Sequence, residues 1–123
     1  MDIGKASEDY LEAMIIMEER HGFIRSVDIA EFLGVTKPSV SYATKRLREG
    51  GFISMDKAGH ITLEPPGREI AERIFRRHKV LTDMLIGFGI DAETARADAC
   101  KIEHDISDKT FAAILKHVEG QRS

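Results

Sequence analysis

The chain has one cysteine in 123 residues. A single thiol excludes an internal disulfide and, together with the lack of an export-type apolar segment at the N-terminus, points to the reducing cytoplasm. No apolar run approaches the roughly 20 residues that a membrane span requires. There is no internal repeat and no low-complexity stretch. A general positive excess is also missing: 18 Lys and Arg stand against 21 Asp and Glu, a net charge of −3. That average speaks against a basic coat for nucleic acid. With 42% hydrophobic and 32% charged residues the chain is nevertheless not a disordered one. Its length suits one compact domain, or one domain with a helical addition, and is enough to bury a core.

The charges are segregated. Residues 1–35 carry Asp2, Glu8, Asp9, Glu12, Glu18, Glu19, Asp28 and Glu31 against only Lys5, Arg20 and Arg25. Residues 36–57 reverse the sign, with Lys37, Lys45, Arg46, Arg48 and Lys57 against Glu49 and Asp56. An acidic opening followed by a basic segment calls for a reason.

Periodicity predicts mainly α structure with a small β wing. A first amphipathic helix is expected over about 7–20, with Ser7 as its N-cap and Gly22 as its stop. Ser26 is expected to cap a short helix, with Ile29, Ala30 and Leu33 inward and Gly34 left-handed after it. Thr36 then caps a further helix, with Pro38 in its first turn, where a missing N–H costs nothing. That helix runs to about Glu49, with Val40, Ala43 and Leu47 on one face, and Gly50-Gly51 stops it. Two helices joined by a Gly-containing turn make a helix-turn-helix. Residues 52–55 and 60–63 read as short strands around a turn at 56–59. Pro65-Pro66-Gly67 is punctuation. A long helix over about 68–86 follows, then one capped by Asp91 through about Asp105, then one capped by Ser107 to about Val118. The division falls at 1–65 and 66–123.

If Val40, Ala43 and Leu47 point inward, the other face of the second helix of the motif exposes Lys37, Ser39, Ser41, Tyr42, Lys45, Arg46 and Arg48. Lys and Arg neutralise phosphates, and Ser and Tyr bond phosphates or base edges. Entry of the helix by its N-terminal part places Lys37, Ser39 and Tyr42 nearest the bases, with Lys57 of the wing on adjacent phosphates, and Thr36 and Pro38 at the helix start are counted with the DNA-facing residues. An isolated basic helix is more often a solvated face, and a winged helix can also serve protein contacts alone. The helix-turn-helix register followed directly by a wing favours double-stranded DNA.

A second constellation is Cys100, Glu103 and His104, spaced i, i+3, i+4 on an expected helix, so that all three share a face. Thiolate, carboxylate and imidazole together suit a first-row transition metal. His78 lies on the preceding helix, which must pack nearby, and Asp9 and Glu12 (i, i+3) can converge from the first helix. Each alone has an ordinary explanation: a small apolar thiol, a solvated histidine, an acidic pair serving the helix dipole. A catalytic Cys–His pair is disfavoured, since no oxyanion donor loop stands out.

The run Ser7-Glu8-Asp9-Tyr10-Leu11-Glu12, the motif Asp28-Ile29-Ala30-Glu31 with Pro38-Ser39-Val40-Ser41, the pair Arg77-His78 and the run Cys100, Glu103-His104, Ser107-Asp108 resemble the diphtheria toxin repressor and manganese transport regulator family, from about Ser7 to His117. The resemblance implies an N-terminal winged helix-turn-helix on palindromic operators, followed by a helical dimerisation and metal-binding domain. It implies a homodimeric transcriptional repressor, not an enzyme, with a divalent metal as corepressor and a role in iron or manganese homeostasis. The implied metal ligands are Asp9, Glu12, His78, Cys100, Glu103 and His104. Asp9 and Glu12 look like the manganese branch, where two neighbouring metals can bind, and Cys100 looks like the iron branch. The resemblance thus implies Fe²⁺ or Mn²⁺, with Co²⁺, Ni²⁺ or Zn²⁺ as tighter binders in vitro. Thr82 and Arg96 stand where the iron branch's ancillary site would offer a carboxylate and a histidine, and the SH3-like third domain of longer members is not in this sequence. The rival reading is a winged-helix regulator or protein-interaction module that no metal controls.

Overall fold

The structure is a computed structural model, and it describes residues 3–122. Six helices and one two-stranded sheet follow in the order α1 (Lys5–His21), α2 (Ser26–Leu33), α3 (Lys37–Glu49), β1 (Ile53–Met55), β2 (Ile61–Leu63), α4 (Pro65–Gly87), α5 (Ala92–Ile102), α6 (Asp108–Arg122). The chain forms two compact units, Met1–Arg73 and Ile74–Ser123.

In the first unit, α1 to α3 form a helix-turn-helix preceded by a helix, and the sheet is the wing. Leu11, Met14, Ile29, Val40, Leu47, Ile53, Ile61 and Leu63 are buried and supply its core. Helix α1 begins earlier than the sequence predicts. Gly4, at φ 87°, occupies the N-cap position, and its carbonyl accepts the Glu8 N–H at 3.1 Å. Lys5 and Ala6, both good helix formers, extend the helix, so Ser7 lies inside the first turn and caps nothing. Gly22 ends α1 in the left-handed conformation, at φ 80°.

Ser26 is likewise the first helical residue of α2 and not its cap. The chain stays extended through Arg25, because Arg25 pairs with His60 in an antiparallel bridge and the Ile61 N–H donates to the Ile24 carbonyl at 2.9 Å. This stitch to the wing was not legible from periodicity, since one bridged residue leaves no alternation to read. Gly34 closes the turn at φ 68°.

Helix α3 starts as its sequence predicts. Thr36 Oγ1 accepts the Ser39 N–H at 3.2 Å, and Pro38 sits in the first turn. Its buried face is Val40, Thr44 and Leu47, with Ala43 only half-buried. Thr44 tolerates burial because its hydroxyl donates to the Ser41 carbonyl at 3.1 Å. The strands pair Ile53 with Leu63, Ser54 with Thr62 and Met55 with Ile61, each strand one residue shorter than expected. The turn between them is built by Asp56, whose Oδ1 accepts the N–H groups of Ala58 and His60, both at 2.9 Å. These two backbone donors, the His60 bond first, hold the Asp56 carboxyl below the usual carboxylate range.

Pro65-Pro66-Gly67 is the first turn of α4 and not a break before it. Two missing N–H groups cost nothing there, because first-turn donors have no intrahelical acceptor. Gly67 is required by space: a Cβ on it would lie 2.1 Å from the Phe52 carbonyl oxygen. Arg68 then bonds Glu18 of α1 at 2.8 Å, which joins the start of α4 to the first unit.

In the second unit, Leu81 and Leu85 of α4 pack on Ala95 and Ala99 of α5, with Ile102, Ile106 and Ile114 around them. Asp91 Oδ2 caps α5 through the Thr94 N–H, at 3.0 Å, and Ser107 Oγ caps α6 through the Thr110 N–H, at 3.1 Å. Helix α5 ends at Ile102, short of the expected Asp105. There the Asp105 N–H turns to the Ile102 carbonyl, at 3.0 Å, and the segment that follows is held by Arg77, whose Nη1 donates to the carbonyls of Glu103, at 3.3 Å, and Ile106, at 3.2 Å.

Candidate DNA-binding face and metal centre

The nine residues read as DNA-facing all lie on the surface of the first unit. Thr36, Lys37, Pro38, Ser39, Ser41, Tyr42, Lys45 and Arg46 are exposed on α3 or at its cap, and Lys57 is exposed in the wing turn. Their exposure follows from the core side of the same helix: with Val40, Thr44 and Leu47 inside, positions between them must face out. Tyr42 is 66% exposed. The Arg46 guanidinium carbon lies 5.8 Å from its ring centroid. Such a contact contributes about 0.5–1 kcal/mol at an exposed site.

The metal-type donors fall into two groups. On α1, Asp9 and Glu12 each offer a carboxylate oxygen, the two within 4.8 Å of each other. Glu12 is buried, although the sequence places it on an acidic helix. In the second unit the donors gather around Glu103, whose side chain is 0% exposed. His78 Nδ1 of α4 lies 2.9 Å from Glu103 Oε2, and His104 Nε2 lies 3.4 Å from Glu103 Oε1. Cys100 Sγ and a Glu103 carboxylate oxygen are within 4.8 Å. Cys100 is itself exposed and Glu103 fully buried, so the expected common face is a shared neighbourhood spanning the end of α5 and the turn after it.

Sequence reasoning missed the support beneath this group. Arg77, itself buried, fixes the Glu103 and Ile106 carbonyls, pairs with Asp108, and lies 5.1 Å from the Phe111 ring centroid. The one sequence signal was its place next to His78, since its burial belongs to the packed unit.

The donor set fits a divalent cation. A fully buried carboxylate is costly without compensation. Here it is flanked by two imidazoles, with a thiol nearby, and Glu103 Oε1 accepts no hydrogen bond. Fe²⁺, a borderline ion, takes such mixed N, O and S ligands, and the harder Mn²⁺ suits the carboxylates of the set.

A winged helix with a basic recognition face, together with a helical unit holding a carboxylate–imidazole–thiol cluster, defines the class of metal-responsive DNA-binding regulators. The comparisons agree. Residues 2–61 match the iron dependent repressor N-terminal DNA binding domain, and residues 64–121 match the iron dependent repressor metal binding and dimerisation domain. The chain is 36% identical over 108 residues to the transcriptional regulator MntR of Salmonella typhimurium, covering 88% of this chain and 69% of that one. It is 32% identical over 119 residues to an uncharacterised HTH-type transcriptional regulator of Methanocaldococcus jannaschii, covering 95% of each. A solved structure of a manganese-dependent transcriptional repressor in complex with manganese superposes with a TM-score of 0.84 at 27% identity, over 92% of this chain and 52% of that one. The chain thus spans about half the length of that structure. It belongs to the iron dependent repressor family of metal-dependent, DNA-binding transcriptional regulators.

Proposed function

We propose that this chain is a homodimeric, cytoplasmic repressor of metal-uptake genes, with Fe²⁺ or Mn²⁺ as corepressor and a palindromic operator as its DNA. It acts by binding and not by catalysis. Residues 1–65 carry the DNA-binding face, made of Thr36, Lys37, Pro38, Ser39, Ser41, Tyr42, Lys45, Arg46 and Lys57. Residues 66–123 carry dimerisation and most of the metal ligands. Asp9, Glu12, His78, Cys100, Glu103 and His104 are the ligands. The observation that carries this reading is Glu103, a fully buried carboxylate between His78 and His104.

When bound, the ion supplies the positive charge that lets carboxylates, thiolate and imidazoles be held together. The residues do the rest. Arg77 fixes the backbone on both sides of the turn and so aims Glu103 and His104. Asp9 and Glu12 repel each other when both are ionised and nothing neutralises them. Lys37, Lys45, Arg46 and Lys57 neutralise phosphates, and Ser39 and Ser41 reach base edges. Coupling requires only that the DNA-competent arrangement hold the ligands better.

The test is DNA binding by fluorescence anisotropy under anaerobic conditions, in chelator and then with Mn²⁺ or Fe²⁺. The duplex is one selected by the metal-loaded protein from a random pool. Affinity should rise about 10–100-fold with metal, and His104→Ala should remove the rise while leaving the circular dichroism spectrum intact. Equal affinity with and without metal would sink the corepressor reading and favour a winged helix that no metal controls.

A further inference from the structure

The most exposed apolar side chain of α3 has no partner in the core. Tyr42 is 66% exposed and stands on a face otherwise made of Ser, Lys and Arg. Folding gains nothing from an aromatic ring there. What the ring does touch is Arg46, one turn later, with the guanidinium carbon 5.8 Å from the ring centroid. The spacing is i, i+4, and helical side chains lean toward the N-terminus. The guanidinium is therefore drawn back along α3 toward Tyr42. That end of α3 is the one marked by the Thr36 cap and Pro38, the end a recognition helix offers to base edges.

We propose that Tyr42 is a positioning residue for Arg46. Its ring holds the guanidinium over the N-terminal half of α3 before DNA arrives, so Arg46 meets the duplex pre-ordered and not as a freely rotating surface cation. A free arginine loses rotamer freedom when it is immobilised at an interface, and pre-ordering removes part of that loss. A planar guanidinium stacks on an aromatic face in a way that an ammonium does not. This proposal rests on the DNA-binding reading and deepens it: Tyr42 acts through Arg46 and not by its own hydroxyl.

The test is a double-mutant cycle on the metal-loaded full chain, with the selected duplex as probe. Tyr42→Ala should weaken binding about three- to fivefold. Tyr42→Phe should bind like the wild type, and Tyr42→Leu should behave like Tyr42→Ala. Arg46→Ala should weaken binding more, and adding Tyr42→Ala to it should cost nothing further. A readout without DNA accompanies the cycle. Ring current should shift the Arg46 δ protons upfield in wild type and Tyr42→Phe, and the shift should vanish in Tyr42→Leu. Additive losses, or a Tyr42→Phe variant as weak as Tyr42→Ala, overturn the proposal, because Tyr42 would then contact DNA by itself. Absence of Arg46 ring-current shifts in the free wild type overturns it as well. If the wild type binds no duplex with metal, the DNA-binding reading fails, while the proton shifts still report whether the pair forms.

Discussion

The two units stabilise themselves by different means. The winged-helix unit buries a continuous set of aliphatic side chains from α1, α2, α3 and both strands. The helical unit has a smaller apolar cluster of Leu81, Leu85, Ala95 and Ala99, and beside it buries a guanidinium and a carboxylate, Arg77 and Glu103. Apart from Glu12 on α1, the first core is mainly aliphatic and indifferent to ions. The second keeps charge inside, where any unmatched group is expensive, and its order depends on what neutralises it. The contrast places an aliphatic core in the first unit and most of the buried charge in the second.

Three substitutions test that contrast, from the largest effect down. Ile29→Ala, in the fully buried centre of the first unit, should cost about 2–5 kcal/mol by urea denaturation. The loss should be the same in chelator and in Mn²⁺; a metal-dependent loss would break the contrast. Arg77→Leu leaves the Glu103 and Ile106 carbonyls without their donor and should cost about 1.5–3 kcal/mol. Unlike the first, it should also weaken Mn²⁺ binding by calorimetry; unchanged metal affinity would mean that Arg77 does not aim the ligands.

The smallest effect concerns Asp91 at the surface of the second unit. The Thr94 N–H, followed by the Thr94 side chain, holds its carboxyl below the ordinary value. A depressed folded value means that the cap's stabilisation is present above the unfolded pKa, about 3.9, and is lost as pH falls through the folded one. Asp91→Asn keeps a capping oxygen without a titrating charge. Wild type and variant should therefore differ in thermal midpoint near neutrality and converge at the acid end of a circular dichroism titration. A constant gap across the titration would show that charge at the cap is irrelevant.

The order of elements was legible in the sequence because each carries its own local signal. Thr36 with Pro38, Asp91 with Thr94, and Ser107 with Thr110 are caps that the structure bears out, and Gly22 and Gly34 are the stops. What escaped is what distant residues decide. Ser7 and Ser26 have the right chemistry for caps, but Gly4 and the Arg25–His60 bridge set those helix starts. The turn after α5 is held by Arg77, a residue 26 positions before Glu103. Thr44 took an inward position because a local hydrogen bond satisfies its hydroxyl, which no hydropathy pattern shows. For the candidate site, spacing named Glu103 and His104 but not the guanidinium under them, since burial of an arginine is a property of the packed unit.

The bridge between Arg25 and His60 makes the wing something other than a loose hairpin. Its inner edge is fastened to the segment that leads into α2, and through the Gly34 turn to α3. The wing strand next to Arg25 is therefore tied by backbone hydrogen bonds to the segment that leads to α2. On the proposed DNA-binding reading, the span of DNA covered by the first unit is set by the offset of that strand from α3, and residues added to the turn at 56–59 should lengthen the reach of the wing without altering α3.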